Sequence, residues 1–237
     1  VTNKTTGCQN TAVVVVADVR VLPVVALATL DNGICDPSLT VPAATFTGRV
    51  TASVTNQIGP LSDYTFSFGG GNTSPPVAVQ TNNVYDKLNG GATPYSATTT
   101  YTITGCVSTP VTAVVANVQA IPVLTTSTTS STNCVAGKED GQARVVTVDG
   151  TAVGVATGYT YAWTGPVAPA FPVNVPTNTS NTAQAIKVQG GAAYDYSMLV
   201  TNQANGCQRT ALVNVADAKA LPVLSLAAMD NGICNPG

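Results

Sequence analysis

Residues 1–38 read VTNKTTGCQNTAVVVVADVRVLPVVALATLDNGICDPS, and residues 200–237 read VTNQANGCQRTALVNVADAKALPVLSLAAMDNGICNPG, the same stretch carried forward by 199 positions. Between them, YTITGCVSTPVTAVVANVQAIPVLTTSTTSSTNC at 101–134 follows the plan again, with Cys106, Pro122 and Cys134 where Cys207, Pro222 and Cys234 stand. The unit is therefore a module of about 100 residues, and successive modules alternate between two sequence types. Self-similarity at a fixed period is the mark of an array, which builds length or avidity more readily than one catalytic site.

Boundaries fall at Leu22-Pro23, Ile121-Pro122 and Leu221-Pro222. They divide the chain into the C-terminal part of a preceding module (1–22), two full modules (23–121 and 122–221) and the first strand of a following one (222–237). Tyr64-Thr65-Phe66-Ser67-Phe68 matches Tyr159-Thr160-Tyr161-Ala162-Trp163, and Lys87-Leu88-Asn89-Gly90-Gly91 matches Lys187-Val188-Gln189-Gly190-Gly191. The linkers hold Pro and no Gly/Ser spacer, which predicts a semi-rigid joint.

Within each module, short β-branched or aromatic runs such as TAVVVVADV (11–19), QARVVTVDG (142–150) and YTYAWTG (159–165) are bounded by Gly, Asn, Asp or Pro. Such runs read as strands. About seven of them in 100 residues, with an aromatic strand near the third, predict an all-β chain of tandem immunoglobulin-like or fibronectin-like β-sandwich modules. Trp163, Tyr161, Phe66 and Phe68 are the expected core plugs, with a sugar-stacking surface as the other reading of Trp163. Composition agrees: charged residues make up 8% of the chain, and Thr and Val suit a half-buried pleated surface.

Six cysteines lie 27, 71, 28, 73 and 27 residues apart. Grouping them by module predicts the pairs Cys35–Cys106 and Cys134–Cys207, with Cys8 and Cys234 bonded to modules outside this stretch. Each bridge would close a loop of about 70 residues, worth roughly 4 kcal/mol in the chain-entropy model. A second pairing, Cys8–Cys35 with Cys106–Cys134, would instead staple neighbours across the junction. Either requires an oxidising compartment, and so predicts an extracellular location.

The pattern of Cys134, Asp140-Gly141, Tyr159-Thr160-Tyr161-Ala162-Trp163, Gly190-Gly191 and LVTNQANGCQRTALVNV (199–215) resembles the tandem repeats of giant cell-surface adhesins of gliding Bacteroidetes-type bacteria. The resemblance covers the second module almost end to end; in the first, Phe66 and Phe68 stand where that family prefers Tyr and Trp. It implies export by the type IX route to the bacterial outer surface, and filaments that serve adhesion or gliding.

Chemistry is bounded by what the chain lacks. With no His there is no Ser-His-Asp or Cys-His arrangement, and no CxxC spacing for zinc. We therefore expect no enzyme activity, no cofactor and no metal. Glu139-Asp140 is the one adjacent acidic pair and reads as a solvated turn. The Asp31-Asn32-Gly33 and Asp230-Asn231-Gly232 triplets read as tight turns, with a calcium site as the alternative. Gly69-Gly70-Gly71 lacks the Lys-Ser/Thr of a phosphate loop. Three sequons begin at Asn3, Asn72 and Asn178, and TTSTTSST at 125–132 is a candidate for O-glycosylation.

A net charge of −2 without basic clusters argues against nucleic acid, and no apolar run approaches the roughly 20 residues of a membrane span. The expected partners are neighbouring modules of the same array, then lateral filament contacts or surface glycans. The expected function is a structural segment of an extracellular adhesin or filament, a disulfide-stapled rod. The alternative is a carbohydrate-binding or accessory module of a secreted enzyme.

Overall fold

Period-two alternation decides which runs become strands, because in a pleated chain every second side chain reaches the same face. In a computed structural model, which describes residues 1–71, 77–153, 156–165, 183–230 and 232, the chain divides into two units. One comprises Val1–Asn32 and Phe46–Val118, the other Gly33–Thr45 and Gln119–Gly237. The described residues form no α-helix.

The first unit contains β1 (Val25–Leu30), β2 (Gly48–Val54), β3 (Tyr64–Gly70), β4 (Val77–Gln80), β5 (Val84–Leu88), β6 (Tyr95–Tyr101), β7 (Cys106–Val107) and β8 (Val111–Ala113). They form two antiparallel sheets, β1-β2-β5 and β4-β3-β6, with β7 and β8 both pairing β6. Burial alternates between buried and half-buried residues along all of β6 and along β3 as far as Gly69. In register, Phe66 faces Thr99 and Phe68 faces Ala97, so each large ring lies opposite a small residue. Phe66, Phe68, Val50, Ala52, Tyr64 and Leu88 are buried in one cluster.

The second unit repeats the plan with β9 (Leu124–Thr129), β10 (Gly141–Val148), β11 (Thr151–Ala152), β12 (Tyr159–Thr164), β13 (Gln184–Val188), β14 (Asp195–Asn202) and β15 (Gln208–Asn214). Here β10 pairs β9, β11 and β13, while β12-β14-β15 make the other sheet. Trp163 and Tyr161 are buried in a cluster with Met198, Val200 and Val188. Trp163 is 4% exposed and so presents no stacking face. Burying a side chain of this size contributes about 1.5–3 kcal/mol over leaving it in water.

Three details recur in both units and tie the fold to the sequence. The β2–β5 register slips after Gly48 and the β10–β13 register slips after Gly141. A Cβ on either glycine would overlap a carbonyl, Leu88's or Val188's, and so the bulge demands glycine. Second, the second residue after β1 or β9 makes a parallel bridge to the departing chain, Asn32 to Asn117 and Ser131 to Asp217. Third, Tyr95 donates its hydroxyl to the Asn89 carbonyl (2.7 Å) and Tyr196 donates to Gln189 (2.9 Å). A tyrosine opening a strand and reaching back to the preceding corner is a mark of immunoglobulin-like sandwiches.

Burial pushes the Tyr196 phenol up to about 12. A phenol whose folded value lies above its unfolded value of about 10 favours the fold below pH 10 and loses that contribution as pH climbs from 10 towards 12. Tyr196→Phe leaves the Gln189 carbonyl without this donor and is expected to cost about 1–3 kcal/mol. Urea titration with Trp163 fluorescence at pH 8 measures it, and an unchanged midpoint would show that the corner contributes nothing.

The unit boundary differs from the one read from sequence. Residues 33–45, assigned by order to the module 23–121, fold with the second unit, and the division falls after Val118. Apolar runs near both ends also differ from their internal copies. Val14 and Val16 are 84% and 86% exposed, whereas Val213 and Val215, their repeats, are 8% and 0% exposed.

Candidate functional site: the cysteine hairpins

Three copies of one tight hairpin present a cysteine just after a glycine. Gly7, Gly105 and Gly206 have φ of 70°, 71° and 68°, the left-handed region that favours glycine. The N–H of each donates to the carbonyl four residues earlier: Asn3 (2.7 Å), Tyr101 (2.9 Å) and Asn202 (2.8 Å). The cysteines that follow are Cys8, Cys106 and Cys207. Their surroundings differ although their backbones do not.

At the third hairpin the segment 33–45 is seated. Cys35 N–H donates to the Asn205 carbonyl and Val41 N–H to the Gln203 carbonyl, both at 2.8 Å. Gln119 Nε2 donates to the Ile34 carbonyl (2.9 Å), and Asn205 Nδ2 to the Ala120 carbonyl (3.1 Å), so linker and hairpin grip the segment from two sides. The segment ends its seat in a short turn, Pro37–Leu39, capped by Asp36, whose carboxylate accepts from Ser38 N–H (2.9 Å). A Cβ on Gly206 would overlap the Asp36 backbone. There Cys35 and Cys207 are joined, with Cα atoms 4.9 Å apart.

This bridge replaces the pairing read from spacing. Cys35 does not bond Cys106, and Cys134 does not bond Cys207; Cys106 is a buried thiol, while Cys8 and Cys134 are exposed thiols. The reason is local: the backbone bonds to Asn205 and Gln203 carry Cys35 to the hairpin of the second unit. In the other pairing, Cys8–Cys35 is excluded by the same bond, and Cys106 and Cys134 are both thiols within this chain. Cys234 lies outside the described residues.

The remaining candidates are tied into turns. Asp140 accepts from Thr132 N–H (2.7 Å), the Thr132 hydroxyl, Asn133 N–H (3.2 Å) and the Ser131 hydroxyl (3.3 Å). These donors, the Thr132 side chain foremost, hold its carboxyl down at about 2. A carboxyl depressed on folding adds stability above its unfolded value near 3.8, which is lost as pH falls towards 2. Amide hydrogen exchange at Thr132 and Asn133 should therefore accelerate between pH 4 and 2 beyond the intrinsic trend; Asp140→Asn should remove that extra dependence. Glu139 accepts from Gly137 N–H (3.0 Å).

Asp31 accepts from Ala116 N–H (3.0 Å), and the buried Asn32 amide donates to Asn117 (2.9 Å) and Asn89 (3.3 Å), so this triplet braces the parallel bridge. Among the described residues no three His, Cys, Asp or Glu side chains gather as metal ligands. Gly70 ends β3 and Gly71 follows it, with φ of 77° and 73°. Thr125–Thr132 begins in β9, where Arg144 Nε donates to Ser127 Oγ (2.8 Å). The Asn3 side chain accepts from Thr5 N–H (3.0 Å) in an exposed turn, and the sequons at Asn72 and Asn178 lie outside the described residues.

No protein-family model and no curated protein matches the chain. Among solved structures it is similar to the three N-terminal domains of the bacteriophage RB49 Highly Immunogenic Outer Capsid protein (Hoc), at 14% identity and a TM-score of 0.35 over 82% of this chain and 59% of that one. It is also similar to domains 7, 8 and 9 of the S-layer protein SbsC, at 14% identity and a TM-score of 0.29 over 83% of this chain and 61% of that one. The chain thus spans less than two thirds of the length of either. Fold and site together define a class: paired antiparallel β-sandwich modules in which a cysteine loop is fixed to a later cysteine hairpin.

Proposed function

We propose that this chain is a structural segment of an extracellular surface adhesin or filament, a semi-rigid array of β-sandwich modules stapled one to the next by disulfides. The Cys35–Cys207 bridge carries this reading. Its sulfurs are 172 residues apart: by sequence Cys35 belongs to one repeat and Cys207 to the next, so the bond fixes a loop of the first repeat into the unit built mainly from the second. A disulfide persists in an oxidising compartment, which supports a location outside the cell. The resemblance of the second module to surface-adhesin repeats supports the bacterial outer surface and the type IX route.

Catalysis gains no support: with no His, the groups available are carboxylates held in turns and thiols on hairpins. A carbohydrate-binding module would show aromatic rings to solvent, and every described Tyr, Phe and Trp is buried or half-buried. Electron microscopy of the native material with and without reductant tests the proposal. A beaded filament with an axial repeat of two modules, loosened by reductant, is expected; compact isolated particles would overturn it.

A further inference from the structure

The first unit holds an open version of the seat that residues 33–45 fill in the second. Beside Cys106 runs a groove of about 440 Å³, bounded on one side by Val19, Arg20 and Val21 and on the other by Tyr101, Ile103 and Thr104. Shifted by 99 positions, the first group becomes Val118, Gln119 and Ala120; shifted by 101, the second becomes Asn202, Ala204 and Asn205. Gln119 and Asn205 hold the Cys35 segment, and the Ala120 carbonyl ties the linker to the Asn205 side chain. The walls therefore correspond, and the contents differ. A Cβ on Gly206 would overlap Asp36, while a Cβ on Gly105 would meet nothing within 4 Å. Ile103 and Ile58, which also lines the groove, are 67% and 62% exposed.

The chain also carries an unseated copy of the loop. Cys134 follows Ser131 as Cys35 follows Asn32, three residues beyond the same parallel bridge, and it is an exposed thiol. We propose that the groove beside Cys106 seats the Cys134 loop of a second copy of this module pair, and that a Cys134–Cys106 disulfide there repeats the Cys35–Cys207 bond. The proposal rests on the stapled-array reading and adds which cysteine meets which. Loops of the first type take hairpins of the second module type, and loops of the second type take hairpins of the first. The Cys134 loop reaches its next strand at Gly141, six residues sooner than the Cys35 loop reaches Gly48, so it fits a seat without the Val41 contact. Arg20, at the Gln119 position, can donate to the carbonyl of Asn133 as Gln119 does to Ile34.

The bond forms by exchange or by oxidation. In exchange, the Cys106 thiolate attacks a disulfide carried by the Cys134 sulfur, the new S–S bond forms, and the departing thiolate takes a proton from solvent. From two free thiols, two electrons and two protons pass to a disulfide oxidant.

The test uses the full chain with Cys8, Cys134 and Cys234 changed to Ser, so that Cys106 is the free thiol and Cys35–Cys207 stays closed. The probe is a peptide of residues 129–141 carrying glutathione on Cys134, compared with a scrambled peptide and with the 30–41 peptide carrying glutathione on Cys35. Mass spectrometry follows coupling to Cys106. The expected result is at least tenfold faster coupling of the 129–141 peptide than of either other peptide. Gly105→Asn, which keeps the left-handed turn but places a side chain in the seat, is expected to abolish that preference with near-ultraviolet circular dichroism unchanged. Equal rates for native and scrambled peptides, a preference for the 30–41 peptide, or a preference that survives Gly105→Asn would each overturn the proposal. Filaments lacking a Cys134–Cys106 link would overturn it and leave the array itself standing.

Discussion

Changing Cys35 and Cys207 together to Ser is expected to lower the stability of the second unit by roughly 3–5 kcal/mol, near the top of what one bridge contributes. The size follows from the loop: the sulfurs are 172 residues apart, and closing so long a loop removes much entropy from the unfolded chain. With the first unit still folded, the flexible part of the loop is shorter, which trims the figure by a few tenths of a kcal/mol because the dependence on length is logarithmic. Trp163 is the single tryptophan and lies in the second unit's cluster, so its fluorescence reports that unit. Its thermal midpoint should fall by roughly 15–25 °C in the double variant and equally in wild type under reductant. Cys106→Ser should leave it unmoved. A shift under about 3 °C would mean that the strap 33–45 holds its place without the sulfurs.

Phe66→Ala should cost the first unit about 3–5 kcal/mol, since the ring is wholly buried and its removal leaves a cavity between two sheets that cannot fully collapse. That loss approaches the whole stability of a small domain. Phe66 and Trp163 lie in separate clusters that share no residue, so calorimetry should resolve an early transition while the Trp163 midpoint holds. A single transition shifted as a whole would show that the units unfold as one.

Fold class was legible because two-residue alternation survives in the core strands β2, β3 and β6, and because the repeat removes accident from the reading. Phe66, Phe68, Tyr161 and Trp163 stand at positions where alternation points inward in both modules. The matched Lys-x-x-Gly-Gly steps recorded a shared bulge and corner whose geometry, with Lys87 and Lys187 at φ of 59° and 57°, is visible only in three dimensions. The tyrosine pair, Tyr95 and Tyr196, does not stand out in the sequence, because its distance from the Gly-Gly step changes between modules, five residues from Gly90 and six from Gly190. Cysteine pairing was not legible for a physical reason. In a repeat, each loop faces several hairpins of nearly one sequence, and spacing cannot tell a module's own hairpin from the next. The choice is made by hydrogen bonds from Cys35 and Val41 to Asn205 and Gln203, contacts between segments far apart in sequence.

The bridge also sets what happens when the two ends are drawn apart. The shortest covalent route from Val1 to Gly237 runs to Cys35, crosses to Cys207 and continues, so residues 36–206 hang on a shunt that bears no tension. With the sulfurs joined the chain reaches at most about 230 Å; with them parted it reaches about 830 Å. Pulled in an oxidising medium it behaves as a short tether whose enclosed strands stay folded, and in a reducing one it yields several hundred ångströms of slack.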